Sequence, residues 1–434
     1  KWHLGDNFPC RPQDQGFQEV LIHGGGGVTQ TPDYWGNDYF GDTYWHNGKP
    51  TKFEEYCTDV WFDGAMRFIE QNKNKPFLAY IPTNAAHGPF LVAEKYSKPY
   101  KDMGIPSPRA EFYGMITNLD ENLGRLDQKL AELNLTDNTI LIFTTDNGTA
   151  AGTRGGGFNA GMRGQKGSEY DGGHRVPFFV RWPGGKITGG RDVNQITAHI
   201  DVLPTLAELC DVPLPKSLKI DGQSLVPLLK GDLAESWPNR TLAVHSQRLE
   251  TPKKWRKAAV MTDRWRLVTD GKRRELFDMN TDPGQKTNVA KDHPEVFERL
   301  SGDYEKWYKS ISTRFDDYVR VGIGNEAENP VHLTCHDWHT DDGLVPWNQP
   351  SVQRHPKANG FWAVDVTKEG EYEITLRLRP HYVKDAVPLK ADSASVNFDW
   401  EDSKLDVKYP AAQTNHTLGE DQSSVSFKCH LPKG

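Results

Sequence analysis

The chain has 434 residues, 36% hydrophobic and 11% aromatic, enough to bury the cores of two or three domains. A net charge of -7 argues against the basic face that a general nucleic-acid binder carries. No run approaches the ~20 apolar residues of a membrane-spanning helix.

Residues 1–57 are rich in Gly, Asn, Asp and aromatic residues and read as long loops around a site. Thr58 stands at the N-cap position of a helix ending near Lys73, with Val60, Phe62, Met66, Phe68 and Ile69 on its apolar face. Phe77–Pro82, a short apolar run bounded by proline, predicts a buried strand. Glu111–Leu133 is the clearest helix: Phe112, Met115, Ile116, Leu119, Leu123, Leu126, Leu130 and Leu133 recur at helical spacing. Thr139–Thr145 and Val176–Trp182 predict two continuously apolar strands, and Asp201–Leu209 a helix capped by Asp201. Such alternation points to an α/β domain, a mostly parallel sheet sandwiched by helices, with ligands bound beyond the carboxyl ends of the strands.

The character changes near residue 229. Ala259–Met261, Trp265–Thr269 and Arg274–Asp278 predict a small antiparallel sheet with a turn at Gly271, covered by a helix over Pro294–Ile311. After the polar stretch Gly322–Asn329, Gly360–Val366, Gly370–Arg377, Ala394–Phe398 and Ser423–His430 predict an all-β module. The expected domains are therefore 1–228, 229–315 and 320–434. No charged and apolar leader follows Lys1, and only four residues follow the last strand, so both ends are expected to be cut. Cys10, Cys57, Cys210, Cys335 and Cys429 are odd in number and lack metal-type spacing, which excludes a disulfide framework or a zinc site.

Several short segments can carry chemistry. Lys1 and His3 fall on one side of an extended segment, where a cation can hold an anion while an imidazole moves a proton. An ordinary surface lysine and a satisfied histidine are the plain alternative. His87, in a Gly-Pro loop after the Phe77–Pro82 run, is placed as a general acid or as a turn cap. Asp146-Asn147-Gly148 follows an apolar strand; its carboxylate and amide oxygen suit Ca²⁺ or Mg²⁺, and equally an Asx turn. Two ligands are too few for Ca²⁺, so others must come from elsewhere. Lys166, in a glycine-rich stretch leading to Asp171-Gly172-Gly173-His174-Arg175, offers a point charge for an oxyanion. Gly155–Gly157 is not fed by a strand or closed by Gly-Lys-Ser/Thr, so it is no nucleotide loop. His23-Gly24-Gly25-Gly26-Gly27 imitates an esterase oxyanion loop, but the chain has no Gly-x-Ser-x-Gly elbow; it reads as a flexible loop bordering the pocket.

Together these pieces suit an enzyme that binds a tetrahedral dianion and breaks an ester bond at it. Their order (Lys1-Trp2-His3-Leu4-Gly5, His87-Gly88-Pro89-Phe90, Thr145-Asp146-Asn147-Gly148, Arg163-Gly164-Gln165-Lys166-Gly167-Ser168, then Gly172-Gly173-His174-Arg175-Val176-Pro177) resembles the type I, formylglycine-dependent sulfatases of the alkaline phosphatase superfamily. Glu275-Leu276-Phe277-Asp278 with Thr281-Asp282-Pro283 resembles that family's C-terminal subdomain, and the likeness runs from residue 1 to about 311. Residues beyond about 315 resemble the β-sandwich appended to some bacterial polysaccharide sulfatases.

The resemblance implies a role for each matching position. Lys1 and Lys166 would bind the sulfate, and Lys1 would also contact the formylglycine. His3 would take the proton as sulfate is released, and His87 would protonate the leaving oxygen. Asp146 and Asn147 would be two of the ligands of Ca²⁺, or of Mg²⁺. The chain departs from the family in one large respect: it contains no Cys/Ser-x-Pro-Ser-Arg, so the nucleophile is expected upstream of Lys1 and this fragment alone is expected to be inactive. Cys10-Arg11-Pro12 begins like that motif but continues Gln13-Asp14. A sulfated carbohydrate is the expected substrate, with Tyr34, Trp35, Tyr39, Phe40, Tyr44 and Trp45 as a stacking platform or simply as loop packing. The periplasm or the cell exterior is the expected location. Two alternatives stay open: a phosphomonoesterase or phosphodiesterase of the same superfamily, and a glycan-binding pseudoenzyme.

Overall fold

The computed structural model describes residues 1–150, 157–231, 237–340, 343–385, 387–389, 394–399, 416–418 and 423–434. Gly155 and Gly156, of the run judged not to be a nucleotide loop, lie outside them. The chain forms two compact units. One comprises Lys1–Met103, Tyr113–Asn122 and Tyr318–Gly434; the other comprises Gly104–Phe112 and Leu123–Asp317.

In the first unit, the front of the chain is more ordered than its loop-like composition predicts. Leu21–Ile22, Thr43–His46 and Lys49–Lys52 form an antiparallel three-stranded sheet. His46 pairs with Lys49, and the intervening Asn47 and Gly48 both take positive φ (49° and 77°). That is the mirror-image two-residue turn that Asn-Gly favours, because its twist matches the strands. The helix Cys57–Asn72 follows, capped by Tyr56 rather than Thr58; Thr58 lies buried in the first turn. Its Cys57, Val60 and Trp61 join Val28, Tyr39, Tyr44, Tyr56 and Met115 in one core. Each fully buried large apolar side chain there contributes about 1.5–3 kcal/mol. Asn118 and Asn122, one helical turn apart, both donate to Asp59 Oδ1, at 2.9 and 2.7 Å. Two amides therefore occupy a face that apolar periodicity alone would fill with leucine, while Ile116 of the expected face is exposed.

Phe77–Pro82 does not form the expected strand. Its side chains alternate as a strand's do, yet Leu78 and Tyr80 are exposed, and among the described residues no strand pairs with it. The later part of this unit holds a parallel pair, Val321–Ile323 with Val364–Val366, and a sheet in which Ser424–Leu431 lies between Gly370–Arg377 and His416–Leu418. Val425, Phe427, Cys429 and Leu431 alternate inward, the period-two signature of a half-buried strand. Ala394–Phe398 forms no strand.

In the second unit, Leu141–Thr144 pairs with Phe178–Arg181. Both apolar runs form strands as expected, but within a sheet expected to be mostly parallel these two pair antiparallel. The expected small sheet gains a fourth strand, Leu242–His245, ahead of Ala258–Met261, Trp265–Thr269 and Arg274–Asp278. The helix Pro294–Ser312 buries Leu300 and Tyr304 against Ala258, Val260, Trp265, Leu267 and Leu276. Val202–Leu209 is the helix expected there. Asp201 stands at its N-cap but makes no side-chain cap bond; its carboxylate instead takes N–H groups from Ala198 and Gln223 and pairs with Arg240.

Candidate active site

The six residues singled out from the sequence fall into two sets. Lys1, His3 and His87 belong to the first unit; Asp146, Asn147 and Lys166 belong to the second.

In the first set, His3 and His87 sit over neighbouring glycines. A Cβ placed on Gly26 would come 2.4 Å from His3 Cε1 and 2.5 Å from His3 Nε2; one on Gly27 would lie 3.4 Å from His87 Nδ1. The glycine run, read from sequence as a flexible border, is thus a floor beneath both imidazoles. His3 holds a left-handed backbone, φ 60°, which costs a residue with a Cβ about 1–2 kcal/mol. Lys1 lies beside Pro82, whose carbonyl accepts from its main-chain nitrogen at 2.6 Å.

The loop carrying His87 is anchored by buried Asn84. Asn84 Oδ1 accepts from Cys57 Sγ (2.8 Å) and Trp61 Nε1 (2.9 Å), and its carbonyl accepts the His87 N–H at 2.7 Å. Burial pushes the Cys57 thiol up to about 12, so it stays protonated and can donate that bond. The Tyr39 hydroxyl donates to the His87 carbonyl at 3.1 Å. His87 Nδ1 lies 2.6 Å from the Gly88 carbonyl. A carbonyl only accepts, so Nδ1 carries a proton and Nε2 is the atom that exchanges one.

Three residues missed in the sequence hold this floor. Asp6 Oδ1 accepts the Gly25 N–H at 2.8 Å, and Gln30 Oε1 accepts the Gly26 N–H at 2.7 Å. His336 Nε2 is 3.2 Å from that same Gln30 oxygen, and its ring centroid is 6.3 Å from that of His3. The side-chain ligand atoms of Asp6, His336 and Asp337 all lie within 4.8 Å of one another. Burial raises the Asp6 carboxyl to about 6, opposed by the Gly25 N–H and reinforced by the Asp337 charge. The signal available in the sequence was Thr334-Cys335-His336-Asp337-Trp338-His339, a titratable cluster inside a polar stretch. Nothing marks Gln30 beforehand.

In the second set, Asp146 and Asn147 follow the strand Leu141–Thr144 after one residue, Thr145. Thr145 is held by His199 Nε2 on its carbonyl at 2.8 Å. The Gly148 N–H donates to the Gly173 carbonyl at 3.0 Å, and a Cβ on Gly148 would meet the Gly172 carbonyl oxygen at 1.9 Å. The Lys166 N–H donates to the Thr149 carbonyl at 2.9 Å. Close backbone approach at Gly148 and Gly172 therefore ties the Asp-Asn pair, Lys166 and the Gly-Gly-His segment together. Asp146, Asn147, Lys166, His174 and His199 line an open cavity of about 2180 Å³. Asp171, also on its wall, is buried and paired with Arg266 Nε at 3.0 Å. Burial keeps His174 below its ordinary pKa, with the Asp171 charge opposing. The amide nitrogen of Asn147 turns to Asp146 Oδ1, so its amide oxygen is the atom presented to a cation. One carboxylate and one amide oxygen on adjacent residues fit a hard divalent ion such as Ca²⁺ or Mg²⁺, as part of its shell.

The sulfatase family model matches residues 6–212, and the model for the C-terminal region of N-sulphoglucosamine sulphohydrolase matches residues 165–307. The N-acetylgalactosamine-6-O-sulfatase of Bacteroides thetaiotaomicron is 31% identical over 284 residues, 60% of this chain and 52% of that protein. Human arylsulfatase A is 27% identical over 320 residues, 67% of this chain and 59% of that one. The chain thus spans between half and three-fifths of the length of these relatives. Among solved structures, that of Ps i-CgsB in complex with k-i-k-neocarrahexaose superposes with a TM-score of 0.62 at 25% identity, covering 70% of this chain and 69% of that chain. The fold is the α/β fold of those sulfatases, and the chain carries the sulfatase family domain over residues 6–212.

Proposed function

We propose that the protein containing this chain hydrolyses the sulfate ester of a sulfated carbohydrate. The observation that carries the reading is that His3 and His87 each pack against one of two successive glycines, Gly26 and Gly27, in a chain of this family. Ester cleavage at sulfur needs one proton delivered to the departing alcohol and one removed as sulfate is released, and two positioned histidines serve those tasks. His87, with Nδ1–H turned to Gly88, delivers its proton from Nε2; His3 accepts the second. Lys1 and Lys166 are proposed to bind sulfate oxygens as point charges.

Asp146 and Asn147 are the proposed holders of Ca²⁺, which when bound supplies positive charge to sulfate oxygens. The nucleophile is proposed to be a formylglycine preceding Lys1. The sugar preference is supported by relatives named N-acetylgalactosamine-6-O-sulfatase and N-acetylgalactosamine-6-sulfatase and by the k-i-k-neocarrahexaose in complex with Ps i-CgsB. Among the described residues no helix is long and apolar enough to cross a membrane. The reading includes a periplasmic or extracellular location.

The test is sulfate release, measured by ion chromatography, from a panel of sulfated saccharides by the complete protein. Release from at least one sugar sulfate is expected. Turnover of phosphate mono- or diesters without any sulfate release would overturn the reading, and binding of the sugars without turnover would mark a pseudoenzyme.

A further inference from the structure

We propose that His336 is a positioning residue for the histidine pair, acting through Gln30 on the glycine floor; this rests on the sulfatase reading above. Gln30 holds both glycines that face the imidazoles. Its side-chain oxygen accepts the Gly26 N–H at 2.7 Å, and its backbone N–H donates to the Gly27 carbonyl at 3.1 Å. Gly26 lies under His3 and Gly27 beside His87. Whatever orients the Gln30 side chain therefore bears on Gly26 and the His3 ring, while the Gln30 backbone holds Gly27 beside His87.

His336 supplies that orientation. Its Nε2 lies 3.2 Å from Gln30 Oε1. An amide oxygen only accepts, so Nε2 must carry a proton, and the buried Gln30 oxygen receives two N–H groups. Beyond the ring, Nδ1 is 3.7 Å from Asp337 Oδ1, and Asp6, which holds the Gly25 N–H, closes the same cluster. The support extends beyond one bond. Gln349 Nε2 donates to the carbonyls of Gln30 and Asp33, both at 3.3 Å, and Thr31 N–H donates to the Trp347 carbonyl at 3.1 Å. On the other flank of His3, Glu328 accepts from Asn7 Nδ2 at 3.1 Å and from Phe8 N–H at 2.7 Å. The C-terminal segment grips both stretches that carry the pocket. Glycines have the most backbone freedom to lose, so a floor built of four in a row needs such external holds.

In the complete protein, on the sugar sulfate that the wild type hydrolyses best, His336→Ala should lower kcat about 10- to 100-fold while KM stays within about threefold. His336→Gln, whose amide N–H reaches the same oxygen, should restore kcat to within about threefold of wild type. Adding His336→Ala to Gln30→Ala should cost less than about threefold further, because the two act in series. An unchanged kcat in His336→Ala, or losses that multiply in the double variant, would overturn the proposal. If His336→Ala does not fold, His336→Gln decides: a tenfold loss there overturns it and near-wild-type kcat supports it. If the wild type hydrolyses no sulfate ester, the sulfatase reading fails by itself. The imidazole NMR signals of His3 then report instead. His336→Ala must shift them while leaving those of His46, paired with Glu19, unmoved; an unmoved His3 overturns the positioning role.

Discussion

The imidazole of His3 rests on Gly26 so closely that a single methyl group at position 26 would fall 2.4 to 2.7 Å from three of its ring atoms. Gly27, one residue on, leaves 3.4 Å to His87 Nδ1, an ordinary contact. Neither glycine needs a left-handed backbone, since neither has positive φ. Space alone separates them.

Gly26→Ala should therefore displace His3 and lower kcat/KM on a sugar sulfate about 100-fold, with overpacking costing about 1–3 kcal/mol of stability. Gly27→Ala should stay within about fivefold of wild type by the same ring-spacing argument. Steady-state kinetics of the two variants, with melting curves, checks the contrast; equal losses would show that the floor does not work through ring spacing.

His87→Ala should lower turnover by about two orders of magnitude or more on a sugar sulfate with a poor leaving group. The loss should shrink on an aryl sulfate, whose leaving group departs without a proton. Comparing kcat on the two substrates measures this, and an equal loss on both would remove the general-acid role.

His23 is fully buried, and burial holds its pKa well below the ordinary 6.5. The folded protein keeps this ring neutral while the unfolded chain protonates it below about pH 6.5. Stability from this group is therefore intact at neutral pH and falls as pH drops below that value, by up to about 1.4 kcal/mol per pH unit. Urea melts of wild type and His23→Gln between pH 5 and 8 should show a shallower acid decline in the variant. Parallel declines would assign the acid sensitivity to other groups, such as His245, which burial also depresses.

Removing divalent ions with a chelator should abolish sulfate release, and Ca²⁺ should restore it. In Asp146→Ala the Ca²⁺ concentration needed should rise at least about tenfold, since a carboxylate is lost from the shell. A variant that titrates like wild type would place the ion elsewhere.

Where local pattern decides structure, the sequence is readable. Trp265–Thr269, Arg274–Asp278 and Gly370–Arg377 form over their expected bounds, because β-rich runs there are closed by turn residues. The helix Arg109–Glu132 follows from its spacing, although Asn118 and Asn122 take part of its buried face to bind Asp59. The Asn47-Gly48 hairpin is legible in that dipeptide, although the aromatic and polar composition around it reads as loop. Phe77–Pro82 has a strand's alternation, but pairing is a property of neighbours and not of the run itself. The site divides in the same way. His3, His87 and the Asp146-Asn147 pair carry chemistry that residue type announces. Gln30 does not, and its bond to His336 joins positions 306 residues apart, a separation no local pattern encodes.

That separation also sets a clock. A ribosome adding about 5–20 residues per second needs roughly 15–60 s to travel from Gln30 to His336. Throughout that interval the four consecutive glycines have emerged, yet their clasp has not been made. A nascent chain arrested before Glu328 should present this stretch to proteases, whereas the finished chain should hide it. The glycine floor is therefore completed only by a segment translated long after it, although His3 and the glycines themselves lie within 25 residues of one another.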